Sequence, residues 1–417
     1  MQISKRILFV TIPEKGHINP MIGVAQQLFR KRYELAFFAK VDISKQLKKA
    51  GLDIPAFYDT TDKNEEENFL TKGKDFAEKL QDKHWLRNWI KTLLIDAVQN
   101  QIPVLENIVA TFKPSLIVTD PMVYAAAIVA EKTKLPWVGI SSSLNPITPT
   151  DWVCDLTETL NLYSCEREQL FNDCPVKAKF RVSDLISPWL NIVFSTEEYI
   201  PRAWSKNDFS FYVGRSYTED KRGDEQDFPF HLLKKECKKV YMSLGSQVYY
   251  HPELFDSVQK ALQRLDIQLI FSVNELINTS FVESLHENVI AVSYAPQLKL
   301  LPHIDLMISH GGANSVMECL AHGKPIALLP ICNDQFLQAK FVLANKVGQI
   351  LDVENPQISA YKNQLEALLE PNAEERKNAE RIGASFQGHK GPEEAAVLIE
   401  KLLRERKPML PEFNRTY

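Results

Sequence analysis

"RILFVTIPEKGHINPMIGVAQQLFRKR", residues 6–32, reads as a strand, a loop and a helix in direct succession. Residues 6–12 are an apolar run rich in β-branched and aromatic side chains, the mark of a strand buried on both faces. After the loop, Met21, Val24, Ala25 and Leu28 recur at i, i+3, i+4 and i+7, the stripe of an amphipathic helix. Asn19 reads as its N-cap, Pro20 as its first residue, and Arg30, Lys31 and Arg32 suit its C-terminal dipole. His17 therefore falls at the carboxyl end of the first strand, the edge where open α/β sheets take ligands. A dinucleotide-binding protein would carry G-x-G-x-x-G there. "IPEKGHINP" has no such glycines, which disfavours a dehydrogenase.

Outward from this unit, short apolar runs alternate with helical stretches. The first half places strands at 33–39, 115–120, 136–142 and 191–195; the second at 239–244, 267–273, 289–295, 306–310 and 325–330. Such alternation argues for parallel sheets covered by helices. "KVYMSLGSQVYYHPELFDSVQKALQRLDIQLIFSV" (239–273) restarts the βαβ pattern, with Leu254, Val258, Ala261, Leu262 and Leu265 as its helical stripe. The polar, Gly- and Pro-interrupted stretch 213–239 carries a linker signature. The expected organisation is α/β, with two Rossmann-like doubly wound domains facing a central cleft. The N-terminal domain covers 1–215, a linker 216–236, and the C-terminal domain 237–392. A helix and tail follow at 393–417, the helix with its apolar residues recurring at Val397, Leu398, Leu402 and Leu403.

Bulk properties narrow the class. A chain of 417 residues exceeds one ordinary core, and 45% hydrophobic with 24% charged residues is a globular composition. A net charge of −4 carries no nucleic-acid footprint. No apolar run reaches the roughly 18–20 residues of a membrane span, and "MQISKRILFV" reads as a strand rather than a signal peptide. Cys154, Cys165, Cys174, Cys237, Cys319 and Cys332 form neither a C-x-x-C pair nor a zinc spacing. They read as reduced thiols of a cytoplasmic protein, a monomer or weak dimer.

The chemistry concentrates in "SYAPQLKLLPHIDLMISHGGANSVMECLAHGKPIALLPICNDQ", residues 293–335. "LMISH" is a strand and "GGANS" opens a helix. Small residues there let backbone N–H groups approach an anion, which the helix dipole favours. His310 offers a donor to a phosphate oxygen. Asn314 and Ser315 either cap the helix or hold phosphate. Glu318, one turn on, is placed to accept two hydrogen bonds from a ribose diol.

With its flanks this segment resembles the donor-binding signature of the family 1 glycosyltransferases, the UDP-glycosyltransferases of GT-B fold, closest to the bacterial macrolide and carotenoid branch. The matching residues are Tyr294, Pro296-Gln297, His310-Gly-Gly312-Ala-Asn314-Ser315-Val-Met-Glu318, Gly323-Lys-Pro325 and Asp334-Gln335. The resemblance implies that Tyr294 stacks on the base and Gln297 helps hold it. It gives the diphosphate to His310, Gly312, Asn314 and Ser315, the ribose to Glu318, and the sugar hydroxyls to Asp334 and Gln335. Ser246, in "SLGS", matches a hydroxyl that contacts phosphate. Tyr294 and Ala313 stand where the plant signature has tryptophans, and the step from Gln297 to His310 is two residues shorter. These departures leave a TDP-sugar or another UDP-hexose open beside UDP-glucose.

The resemblance extends to the first domain: it implies that 1–215 binds the acceptor, that 237–392 binds the nucleotide sugar, and that the helix and tail 393–417 cross back to the N-terminal domain. "GHINP" matches the catalytic histidine, so His17 is expected to be a general base, its imidazole mostly neutral yet basic at pH 7. Asp120, in "LIVTD" at another strand end, is its expected partner: a carboxylate on one imidazole N–H fixes the tautomer and stabilises the imidazolium. The alternative is Asp120 as a cap of the next helix, with Pro121 at its first position, and the two roles are compatible. Phe69, Phe76, Trp85 and Trp89 in 60–100, and Trp152, Phe171, Phe180 and Trp189 in 145–190, read equally as core or as walls of an apolar acceptor pocket. Phe76, Trp85, Trp89 and Ser142 are the candidates for that pocket, Ser141 and Ser142 also for reaching the donor.

The expected activity is an inverting hexosyl transfer, of glucose first, from a nucleotide sugar (a UDP-hexose first) to a hydroxyl of a small lipophilic acceptor. No cofactor and no divalent metal are expected. The rivals are a GT-B sugar-nucleotide epimerase, which releases sugar rather than glycosylating an acceptor, and a catalytically silent nucleotide-sugar-binding protein. The pairing of His17 with Asp120 speaks against the silent protein.

Overall fold

In the computed structural model, which describes residues 5–59, 72–174, 177–201, 209–219, 221–263 and 265–411, the opening strand is β1 (Arg6–Val10). Its side chains alternate between two cores, Ile7 and Phe9 on one sheet face and Leu8 and Val10 on the other. The chain divides into two units. One comprises residues 1–70, 84–224 and 389–417, the other residues 71–83 and 225–388.

The first unit continues with β2 (Glu34–Ala39), β3 (Ala56–Tyr58), β4 (Leu116–Thr119) and β5 (Trp137–Ser141). A small antiparallel hairpin, β6 (Phe180–Arg181) and β7 (Asp184–Leu185), precedes β8 (Leu190–Val193) and β9 (Ser210–Tyr212). Among the described residues these form a seven-stranded parallel sheet in the order β3-β2-β1-β4-β5-β8-β9. The strand order reverses at β1 and β4, the switch point where doubly wound sheets bind ligands.

The second unit has β10 (Lys238–Ser243), β11 (Ile267–Ser272), β12 (Val289–Val292), β13 (Leu306–Ser309), β14 (Ile326–Leu328) and β15 (Gly348–Ile350). They pair in the order β12-β11-β10-β13-β14-β15, again all parallel, so the switch point lies at β10 and β13. Leu254, Val258, Ala261 and Leu262 of the helix Pro252–Leu262 pack with Val240, Met242 and Leu269 in its core.

Several expectations are corrected. The first helix runs Lys15–Arg30, so it starts before Asn19, and Pro20 lies inside it. The N–H groups of His17 and Ile18 both donate to the Glu14 carbonyl, at 2.9 and 3.0 Å. Pro20 can give no N–H to the Gly16 carbonyl, a loss a helix tolerates near its start. Asn19 caps nothing; its amide accepts from Gln46 and donates to Asp224. Those partners, remote in sequence, are what the local pattern could not register. Part of the expected linker is built into the first unit. Gln26 donates to the Lys221 carbonyl at 2.7 Å, and Gly223, at φ +85°, lies against the backbone of Gln46.

The C-terminal helix Gly391–Glu405 packs beside the first helix through Ala395, Ala396, Ile399, Leu402 and Leu403, while Val397 is exposed. Its buried stripe is thus rotated from the expected one, which counted Val397. Residues 72–83 group with the second unit. There Gly73, at φ +64°, donates to the Gln247 carbonyl at 2.9 Å. Phe69 lies outside the described residues. All six cysteines are free thiols. Among the described residues no helix is long and apolar enough to cross a membrane.

Candidate active site

In each unit the residues of interest follow the carboxyl ends of strands. In the first unit, β1 leads into the turn and helix that carry His17, β4 ends just before Asp120, and β5 ends just before Ser142. The Asp120 N–H donates to the Val10 carbonyl at 2.9 Å, which locks these strand ends together. His17 Nδ1 lies 2.6 Å from Asp120 Oδ2; the Asp120 side chain is fully buried and that of His17 is 23% exposed. Met122 N–H donates to Asp120 Oδ1 at 2.9 Å, so this carboxylate serves the turn as well as the histidine. An ionised carboxylate can only accept, so Nδ1 carries the hydrogen and Nε2 is the basic nitrogen. Ser142 Oγ stands 2.7 Å from the same Nδ1 and 3.3 Å from Asp120 Oδ2. Its hydroxyl donates to the carboxylate while its oxygen shares the imidazole N–H. The structure thus joins Ser142 to the histidine and aspartate.

Sequence reasoning missed a further carboxyl group here. Asp184, on β7, is 1% exposed; Ser141 Oγ lies 2.5 Å from its Oδ2, and Asn145 Nδ2 donates to its Oδ1 at 2.7 Å. Burial first, and then the charge of Asp120, push its carboxyl up to about 7, against its hydrogen bonding with Ser141 and Asn145 and the opposing influence of His17. The hairpin is tied to the same turn, since Leu185 N–H donates to the Pro121 carbonyl at 3.0 Å. Tyr124 Oη donates to the Ser183 carbonyl at 2.7 Å; burial pushes this phenol up to about 12. "RVSDLI" is too short and irregular to signal any of this. A carboxylate followed directly by Leu185 and Ile186 was its one hint.

Phe76, Trp85 and Trp89 lie on other elements, the helices Gly73–Lys79 and Lys83–Lys91. Phe76, expected to wall a pocket of the first domain, is fully buried and sits in residues 72–83 of the second unit. Trp85 and Trp89, half-buried on the helix Lys83–Lys91, stack with centroids 6.2 Å apart.

In the second unit, Ser246 follows β10, Tyr294 follows β12, His310 follows β13, and Asp334 and Gln335 follow β14. In a parallel sheet these strand ends share one edge. Gly245 has φ +79° and Gly311 φ +93°, conformations that favour glycine. The His310 ring packs so closely that a Cβ at Gly245 would fall 2.7 Å from it, and one at Gly312 2.8 Å. Burial pushes the His310 imidazolium down to about 4, opposed by a hydrogen bond to the Ser243 backbone, so at neutral pH His310 is an uncharged donor. Gly312 is the N-cap of the helix Ala313–Ala321, and Asn314 and Ser315 lie in its first turn. Gln297 Nε2 donates to Glu318 Oε2 at 2.7 Å and lies 3.5 Å from Ser315 Oγ. Glu318 is 4% exposed. Gln335 is differently occupied. Its Oε1 accepts from the N–H groups of Ile331 and Cys332 at 2.7 and 3.1 Å, shaping the turn before the helix Gln335–Ala344.

This second unit is what a known family shares most plainly. Residues 235–388 match the sequence profile of the UDP-glucoronosyl and UDP-glucosyl transferases. Along nearly its whole length the chain is similar to an uncharacterized UDP-glucosyltransferase of Bacillus subtilis, YojK, at 24% identity over 96% of this chain and 98% of the relative. Among solved structures it resembles the glycotransferase of kitacinnamycin, with a TM-score of 0.72 and 18% identity over 95% of this chain and 98% of that one. It also resembles the spinosyn rhamnosyltransferase SpnG complexed with thymidine diphosphate, with a TM-score of 0.68 and 16% identity over 95% of this chain and 99% of that one. The fold is GT-B. The chain is a glycosyltransferase whose second unit carries the profile of the UDP-glucoronosyl and UDP-glucosyl transferases.

Proposed function

We propose that this glycosyltransferase inverts configuration as it moves a hexose from a nucleotide sugar to a hydroxyl of a small lipophilic acceptor. The observation that carries the reading is the Asp120–His17 pair, a buried carboxylate on Nδ1 that leaves Nε2 to take a proton. His17 accepts the acceptor's hydroxyl proton as that oxygen attacks the anomeric carbon. The nucleoside diphosphate departs from the opposite face. General-base help of this kind is worth roughly 10²–10⁴-fold. Asp120 and Ser142 orient the imidazole, and Asp120 stabilises the imidazolium that forms.

The donor belongs to the second unit. Tyr294 stacks on the base. His310, the first-turn residues Asn314 and Ser315, the Gly312 cap and Ser246 meet the diphosphate with uncharged donors and a helix N-terminus. Glu318, held by Gln297, accepts from the ribose hydroxyls, and Asp334 from the sugar. Gln335 shapes the turn that presents Asp334. A carboxylate that accepts from both ribose hydroxyls favours a ribonucleotide, hence a UDP-hexose, glucose first. The thymidine diphosphate bound to the spinosyn enzyme keeps a TDP-sugar as the second reading. The names of that enzyme and of the kitacinnamycin enzyme support a natural-product acceptor.

A thermal-shift screen of UDP- and TDP-sugars, followed by mass spectrometry of an acceptor panel, tests the reading. A UDP-hexose is expected to stabilise the protein and to yield a hexose adduct on a lipophilic alcohol or phenol. Free sugar or an epimerised donor with no adduct across the panel would overturn it.

A further inference from the structure

The first unit holds a second carboxyl group beside the dyad, and hydrogen counting says what state it is in. Ser141 Oγ lies 2.9 Å from the Ser143 carbonyl oxygen and 2.5 Å from Asp184 Oδ2. A hydroxyl has one hydrogen to give, and a carbonyl can only accept. With that hydrogen on the Ser143 carbonyl, the short contact to Asp184 needs its proton from the carboxyl group. Every partner then has a place: Asp184 Oδ2–H donates to Ser141 Oγ, and Asn145 Nδ2–H donates to Asp184 Oδ1 at 2.7 Å. The ionised alternative leaves either the Ser143 carbonyl or the Asp184 carboxylate facing a bare oxygen lone pair. It also puts two fully buried aspartate charges, Asp120 and Asp184, near one imidazole, an arrangement that like-charge repulsion and burial both oppose.

The position of this group ties it to catalysis. Ser141 is followed directly by Ser142, whose hydroxyl touches both His17 Nδ1 and Asp120. Leu185, next to Asp184, holds the Pro121 carbonyl that follows Asp120. Val182, in the hairpin turn, keeps φ at +50°, which a β-branched residue adopts only when its surroundings impose it, and Arg167 donates to its carbonyl at 2.7 Å.

We propose that Asp184 is a positioning residue that works as a protonated carboxylic acid, fixing the Ser141–Ser142 strand end against the His17–Asp120 dyad. It touches neither substrate nor the reacting atoms. The titratable or charged groups that face it are Asp120, His17 and Tyr124, with Arg167 behind the hairpin. The raised ionisation of Asp184 agrees with this state and adds a pH limit: above neutrality the group loses its proton and the Ser141 bond must reorganise.

The proposal rests on the dyad being the catalytic base, and its test separates the two ideas. Asp184→Asn keeps the shape and the lack of charge, whereas Asp184→Ala removes the hydrogen-bond partner. Asp184→Asn is expected to keep most of the wild-type kcat and to lose its fall above neutral pH. Asp184→Ala is expected to lower kcat by roughly 10²-fold, the cost of misplacing a catalytic group, with UDP affinity unchanged. In infrared spectra of the full chain labelled with 13C-aspartate, a carboxylic-acid carbonyl band is expected at mildly acid pH, fading as pH rises through about 7. That band does not depend on turnover, so it stands whether or not His17 is the base, and it decides the protonation state even if Asp184→Asn fails to fold. Asparagine as damaging as alanine, alanine as active as wild type, or no protonated aspartate in the spectrum would each overturn the proposal.

Discussion

The two units build the same sheet edge and put opposite chemistry on it. In the first, the switch point at β1 and β4 carries His17 and Asp120, an imidazole held by a buried charge. In the second, the switch point at β10 and β13 carries Gly245, His310, Gly311 and Gly312, an imidazole wedged between glycines and kept uncharged. On the proposed function the difference lies in what each strand end holds. Close approach to a diphosphate needs bare backbone and positive φ, which glycine supplies. Proton transfer needs a side chain with one nitrogen fixed and the other basic. One topology serves both because the sheet edge specifies where a group stands, not what it is.

This contrast can be broken in graded steps. Asp120→Asn leaves the strands intact but sets an amide donor against the imidazole N–H. Turnover is expected to fall roughly 10²–10⁴-fold in a transfer assay while UDP binding holds. Next, the two units should answer pH in opposite senses. Asp184 keeps its proton to about 7, whereas the unfolded chain loses it near 3.8. Its contribution to stability is therefore greatest in acid and declines as pH rises through that window, by at most about 1.4 kcal/mol per pH unit for one proton. His310 is lowered from 6.5 to about 4, so the unfolded chain takes up its proton first and stability falls as pH drops from 6.5. Denaturant titrations of Asp184→Asn and His310→Asn across pH 4–7 should depart from wild type with opposite slopes.

Gly245→Ala adds a Cβ 2.7 Å from the His310 ring at φ +79°. At about 1–3 kcal/mol for such strain, donor KM should rise by roughly tenfold while His17 is untouched. Glu318→Ala should weaken UDP by about 1–3 kcal/mol in calorimetry and weaken TDP, which lacks the 2′-hydroxyl, by less. Equal losses would remove the ribose assignment. Smallest, Val182→Gly relieves a left-handed valine and should raise stability in a melt by about 1 kcal/mol or less.

Much of this was legible in the sequence because long, doubly buried strands and the spacing from Tyr294 to Gln335 are local patterns. The strands missed, β3, β9 and β15, are three-residue pieces at sheet edges, too short to show a period. The hairpin β6–β7 is shorter still. The helix start at Lys15 was hidden because Asn19 and Pro20 make a convincing cap in one dimension, and only the fold brings Gln46 and Asp224 to Asn19. Asp184 was invisible for the same reason. Its meaning lies in Ser141 and Asn145, some forty residues upstream. Gln335 shows the converse, a recognisable motif position whose side chain serves its own turn.

The central claim is that the first unit supplies the base and the second holds the donor, and His17→Ala measured twice on one preparation tests it most directly. Calorimetry with UDP should return the wild-type affinity, because no donor contact is assigned to that residue, while the glycosylated product measured by mass spectrometry should all but vanish. Transfer at the wild-type rate would contradict the account.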